Sequence, residues 1–188
     1  MRFEQTFFAL AALLMVPTAN AALIVTAIES GGDVVISSPG GSLDLTDESL
    51  LFQSGPVGSY VNPTAVEIVV GTSQTFDAYL ASTSPASFGT GGVTGADSES
   101  GADLYGAVGN FGGALIVPQG YVSSAPLSAT SSAYENETLA SLGLNVGSYV
   151  WTLPNDTFTF TVVPIPAAIW LFGSALGLLG WMRRRKMH

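Results

Sequence analysis

No Lys, Arg or His occurs between Phe3 and Met182. The five basic side chains are Arg2, Arg183, Arg184, Arg185 and Lys186, and the single His is His188. Everything between is neutral or acidic, so the middle of the chain cannot neutralise a phosphate backbone, and a nucleic-acid role is excluded. Low charge, 10% DEKR, accompanies 22 Gly and abundant Val, Ile, Thr and aromatic residues. That balance argues for a β-rich fold, since disorder goes with low hydrophobicity and high charge. The 188 residues suffice for one ordinary domain plus targeting segments.

The same absence narrows the chemistry. Residues 22–162 hold no His, Cys, Lys or Arg. Ser-His-Asp and Cys-His nucleophiles, Schiff-base lysines, arginine clamps, His-ligated zinc and disulfides are all excluded. Only carboxylate chemistry survives. A glycosidase needs two carboxyl groups about 5–10 Å apart, and nothing in the sequence singles out a pair. No catalytic residue is assigned, and no enzyme is expected. Calcium is the better chemical idea, because it takes several oxygen ligands. "DSESGAD" places Asp97, Glu99 and Asp103 on a Gly-rich loop, and "DLTDES" places Asp44, Asp47 and Glu48 together. Neither matches an EF-hand loop. The competing reading is a solvated acidic surface that keeps an exported protein soluble.

The two ends read as addresses. "MRFEQTFFALAALLMVPTANA" has a positive start, an apolar run from Phe7 to Val16, and small residues at Ala19 and Ala21. This is the pattern of a secretory signal peptide, residues 1–21, cut after Ala21. A retained anchor is the alternative, but the run is short for a hydrocarbon core of ~30 Å. At the other end, Ile165 to Met182 carries no charge. At ~1.5 Å per residue it reaches roughly 27 Å, enough for one transmembrane helix. Trp170 and Trp181 lie near its two ends, and Arg183, Arg184, Arg185 and Lys186 follow at once. By the positive-inside rule this cluster stops transfer and stays cytoplasmic. A buried core helix would leave four adjacent cations unexplained.

This order of a Pro motif, one apolar span and a basic tail resembles the PEP-CTERM sorting signal of Gram-negative bacteria. Val163, Pro164, Ile165, Pro166 and Ala167 match its V-P-L-P-A variant, with Ile165 in place of Leu. The resemblance covers residues 163–188. It implies recognition by an exosortase, a membrane cysteine protease, with a cut near the Pro motif and transfer or release to the cell surface or matrix. It also implies strains that make exopolysaccharide, a further candidate partner. "LASLGLNVGSYVWTL" followed by "DTFTFTV" is similar to the end of a β-rich domain common in such proteins. That second resemblance implies fold and context, and no chemistry.

Between the addresses, residues 22–162, short β-like runs recur between turn-rich segments. "ALIVTAIES", "DVVIS", "SLDL", "AVEIVV", "TFDAYL" and "GALIVP" read as strands, divided by Gly31-Gly32, Pro39-Gly40-Gly41 and Gly71-Thr72-Ser73-Gln74. The spacing predicts an antiparallel β-sandwich. In "GSYVWTLPNDTFTFTVV" two alternating apolar sets must share one face. This predicts a hairpin pairing Leu153 with Phe158, Trp151 with Phe160 and Tyr149 with Val162. Tyr149 and Trp151 could instead form a sugar platform, which keeps a carbohydrate-binding or carbohydrate-cleaving module as the alternative. "YENETLASLGL" predicts a helix of a turn or two, capped by Asn136 and ended by Gly143. Residues 82–110 read as a long loop or poorly ordered edge strands. Without tail processing, the protein would remain a permanently anchored single-span protein.

Overall fold

A computed structural model describes residues 22–109 and 112–164. The chain enters as β1 (Leu23–Ser30) and β2 (Asp33–Ser38). It continues through β3 (Leu50–Val57), β4 (Tyr60–Asn62), β5 (Glu67–Gly71), β6 (Gln74–Leu80) and β7 (Thr94–Gly95). β8 (Ser98–Gly101), β9 (Leu104–Val108) and β10 (Ala114–Pro118) follow, then β11 (Thr130–Tyr134), β12 (Gly147–Thr152) and β13 (Thr157–Val163). Two sheets result, in the orders β12-β13-β1-β2-β11-β8 and β3-β6-β10-β9-β5-β4-β7. The protein is mainly β and sandwich-like, with no α-helix among the described residues.

Alternation builds the core. Leu23, Val25 and Ala27 of β1 and Phe158, Phe160 and Val162 of β13 are buried at every second position. They form one apolar cluster with Ile68, Val70, Tyr105, Ala107, Leu115 and Val117 of the other sheet. Phe88, from the segment after β6, stands 5.1 Å from Phe160 and 6.3 Å from Trp151, ring centre to ring centre and edge-on. Edge-to-face pairs of this kind add about 0.5–1.5 kcal/mol beyond their burial. The opposite face of the seven-stranded sheet carries a second cluster around Val69, Phe76, Leu104 and Ile116.

All pairings are antiparallel but one. β1 lies parallel to β13, Leu23 beside Phe158 and Ala27 beside Val162. The first and last strands are thus neighbours inside the six-stranded sheet, a long-range pairing that no local pattern announces. β5 and β6, which flank one turn in sequence, are separated by β9 and β10.

The final hairpin forms two residues away from the expected register. Trp151 faces Phe158, Tyr149 faces Phe160 and Gly147 faces Val162. Parity is preserved, so the apolar sets still share a face. Leu153 leaves the ladder and donates its N–H to the Asp156 carbonyl at 2.9 Å, closing a loop over 153–156. The expected register would have put Pro154 into the ladder, where it has no N–H to give.

The expected helix is a single closed turn. Asn136 sits at φ 57°, a left-handed conformation outside the extended region an N-cap needs. The cap is Thr138: Ser141 N donates to Thr138 Oγ1 at 3.0 Å and Thr138 N to Ser141 Oγ at 2.7 Å. Gly143 ends the turn as expected, at φ 70°. There Leu144 N donates to the Leu139 carbonyl at 2.8 Å and Gly143 N to the Ala140 carbonyl at 3.1 Å.

Residues 82–110 hold more order than expected. β7 and β8 are short edge strands, but β9 is central and buried at all five positions. A strand covered on both faces loses the alternation by which strands are read. "SLDL" is not a strand. Leu43 N donates to Tyr121 Oη at 2.9 Å and Leu45 N to Ser123 Oγ at 2.8 Å, so side chains take the place of a ladder. β3, β4 and β11 have no counterpart among the runs read as strands from the sequence.

Gly71 closes β5 at φ 116°, and a Cβ there would run into the Asp103 carbonyl and Thr130 Oγ1. Gly92 has open space and an ordinary φ. Gly71→Ala should lose more than about 2 kcal/mol of stability, and Gly92→Ala should stay within about 0.5 kcal/mol. Urea unfolding of both variants checks the pair.

Candidate functional site

The Pro motif starts at the end of the last described strand. Val163 is the last residue of β13, placed beside Ile28, and Pro164 is exposed immediately after it. Ile165, Pro166 and Ala167 lie outside the described residues, as do Ala19, Ala21, the segment 165–182 and Arg183, Arg184, Arg185 and Lys186. No helix among the described residues is long and apolar enough to cross a membrane. At the other boundary, Ala22 immediately precedes β1. Because β1 and β13 run parallel, the chain enters and leaves at opposite ends of the six-stranded sheet.

The calcium candidates do not come together. Asp97 Oδ2 accepts the Glu135 N–H at 2.8 Å. Glu99 accepts two N–H groups, from Ser59 through Oε1 and from Ser73 through Oε2, the latter at 3.0 Å. Asp103 Oδ2 accepts the Ser128 N–H at 2.5 Å. In the second group, Asp47 Oδ2 accepts from Asn155 Nδ2 at 2.7 Å. Asp44 Oδ1 accepts from Thr46 N at 3.0 Å, Thr46 Oγ1 at 2.5 Å and Ser123 Oγ at 3.0 Å. Among the described residues no three His, Asp or Glu side chains gather as a metal site would require. Asp97, Glu99 and Asp103 each take N–H groups from other segments of the chain, whereas Asp44 and Asp47 share one loop.

The aromatic pair is part of the packing. Trp151 is fully buried, 5.3 Å from Phe158 between ring centres, and Tyr149 leans on Phe88 and Phe160. Tyr149 Oη donates to the Asn145 carbonyl at 2.9 Å. Trp151 is closed to solvent, and Tyr149 is partly exposed while packing against the core.

What the sequence did not reveal is a polar seam at the β7–β8 corner. The chain passes there between sheets: Ala96 N donates to the Ser59 carbonyl at 3.0 Å and Asp97 N to the Ala133 carbonyl at 2.9 Å. Ser132 Oγ of β11 donates to Ser59 Oγ at 2.6 Å, and Ser59 Oγ donates to the Gly71 carbonyl at 2.7 Å. Both serines are buried. Nearby, the Tyr134 hydroxyl is buried with no hydrogen-bond partner. Burial, then the charges of Glu99 and Asp97, push its pKa up. Serines in a Ser-rich chain carry no local mark of such a role.

No family model, curated protein or solved structure matches the chain.

The hydrogen bonds from Thr46, side chain first and then backbone, and from Ser123 hold the Asp44 carboxyl below its ordinary range. A depressed folded pKa gives a contribution that is complete above the unfolded value of about 3.9 and is lost as pH falls through the folded value. A carboxyl-carbon NMR titration should therefore place the Asp44 midpoint below about 3.9. Thr46→Val, which removes the side-chain donor, should move it upward. A wild-type midpoint at or above the ordinary value would contradict this geometry.

Proposed function

We propose that this chain is an exported, non-enzymatic cell-surface or extracellular-matrix protein whose folded domain is delivered by two removable ends. Signal peptidase cuts after Ala21. The segment 165–182 then holds the precursor in the membrane as a single span, with Arg183, Arg184, Arg185 and Lys186 cytoplasmic. An exosortase recognises Val163, Pro164, Ile165, Pro166 and Ala167 and cuts near Pro164, transferring the domain to the surface or into an exopolysaccharide matrix.

The observation that supports this reading is the match between fold boundaries and address boundaries. β1 starts one residue after Ala22, and β13 ends at Val163 with Pro164 exposed beyond it. Cuts at both places leave every described strand and both apolar clusters intact. β13 lies between β1 and β12, so a cut after it does not loosen an edge. Because the ends leave opposite sides of the sheet, one processing event does not obstruct the other. The remaining domain is acidic, which suits a soluble exported protein.

Replacing Arg183, Arg184, Arg185 and Lys186 by Gln tests the reading. Charge beside a span end sets topology, and long basic side chains snorkel to extend a short span. The variant precursor should slip through the membrane, leave a C-terminal tag accessible to external protease, and lose cleavage near Pro164. A tag that stays protected while cleavage continues at its normal rate would contradict the assignment.

A further inference from the structure

The parallel pairing that joins the two ends of the fold also places the mature N-terminus. Leu23 sits beside Phe158, so the residue before β1 comes alongside the start of β13 and the loop leading into it. Ala22 indeed lines one open pocket of about 490 Å³ with Thr152, Leu153, Pro154, Asn155, Asp156 and Thr157. Ala22 and Asp156 are both half-buried.

We propose that the α-amine freed at Ala22 seats against the Asp156 carboxylate, forming an ion pair that the uncut precursor cannot make. The proposal rests on the cut after Ala21. Before that cut the same nitrogen is a neutral amide; after it, the nitrogen is an ammonium with three donors. Residues 22–164 contain no Lys, Arg or His, so this ammonium is the only cation of the mature domain. Of the 14 acidic residues only Glu4 precedes it, leaving the rest to act on it as a uniformly negative surround.

Asp156 is built to receive it. Its Oδ2 accepts the Asp44 N–H at 2.9 Å and its Oδ1 accepts its own neighbour's N–H, that of Thr157, at 2.7 Å. Two fixed N–H bonds hold the carboxylate in place, and each oxygen keeps a lone pair free. The loop over 43–48 packs against this end, bringing Asp44, Asp47 and Glu48, with Asp47 bonded to Asn155. The segment after β10 brings Tyr121, whose hydroxyl accepts from Leu43 N. Its pKa is pushed up by burial, with Asp156, Asp103 and Asp44 adding to the shift. The titratable groups at this end are carboxylates and a neutral tyrosine, and the carboxylates favour the charged form of the amine. Leader removal thus adds a contact inside the domain at the same moment that it releases the chain.

The sign follows. An amine whose folded pKa is raised contributes stability that is complete below its unfolded value of about 7.7–8.0. That contribution is lost as pH rises through the folded value.

The test uses the full chain produced with its own leader and processed by the cell. Intact mass identifies the first residue. Reductive ¹³C-dimethylation labels the α-amine, and any retained Lys186 titrates far higher, near 10.4. The labelled amine is titrated by NMR in the folded protein and in the same protein unfolded in urea. The folded pKa should exceed the unfolded one by roughly half a unit or more, and the gap should shrink in high salt. Asp156→Asn should close most of it. A Gly inserted between Ala21 and Ala22, with the first residue again read from the mass, displaces the amine by about 3.5 Å. It should close the gap without touching a side chain, and it decides the matter if the Asn variant fails to fold. Equal folded and unfolded values, or a gap unmoved by these variants, would overturn the ion pair while leaving the cut site standing. A first residue other than Ala22 would overturn both.

Discussion

The carboxylates of the folded domain have no basic side chain to pair with, and the fold depends on how they are satisfied instead. They take backbone N–H groups from distant loops. Glu29 Oε1 accepts from Leu139 N at 2.6 Å, Asp33 Oδ1 from Asn136 N at 2.8 Å and Asp77 Oδ2 from Gly120 N at 2.8 Å. Asp97, Glu99, Asp103 and Asp156 do the same at other loops. A hydrogen bond to an ionised acceptor is roughly twice as strong as a neutral one. It also satisfies a loop N–H that no ladder reaches. A domain without disulfides or basic side chains thereby fixes many of its long connections through Asp and Glu, with hydroxyls such as Tyr121 and Ser123 holding others. The buried Asp77, which also accepts from Gln53 Nε2 at 2.7 Å, ties β3 to β6 in the same way.

This arrangement explains which parts of the fold were legible in the sequence. Alternation marked β1, β2, β12 and β13, where one face of each run is buried, whereas β5 and β10, buried on both faces, were legible as short apolar runs bounded by turn residues. Alternation gave the parity of the last hairpin but not its register, which turned on Pro154 lacking an N–H. β9 escaped because it has no alternation and its short run is interrupted by Gly106 inside a Gly-rich stretch. The dispersal of Asp97, Glu99 and Asp103 escaped for another reason. Three acids spaced along one Gly-rich segment look like ligands, but their N–H donors, in Glu135, Ser59, Ser73 and Ser128, lie far away in the chain. The parallel pairing of β1 with β13 has no local signature at all.

That pairing links structure to the proposed function. Joining the first and last described strands inside one sheet completes the main core by Val163, the residue at which the Pro motif starts. A terminal strand at the sheet edge would have been pulled loose by any processing of the tail. Here β13 is flanked on both sides, and its inward Phe158, Phe160 and Val162 are part of the main core.

The most direct test of this account is the intact mass of the protein recovered from the cell surface or matrix. A mass that begins at Ala22 and ends close to Pro164 is the result the account predicts. A mass that extends to His188, with the apolar segment and basic cluster still attached, would contradict it.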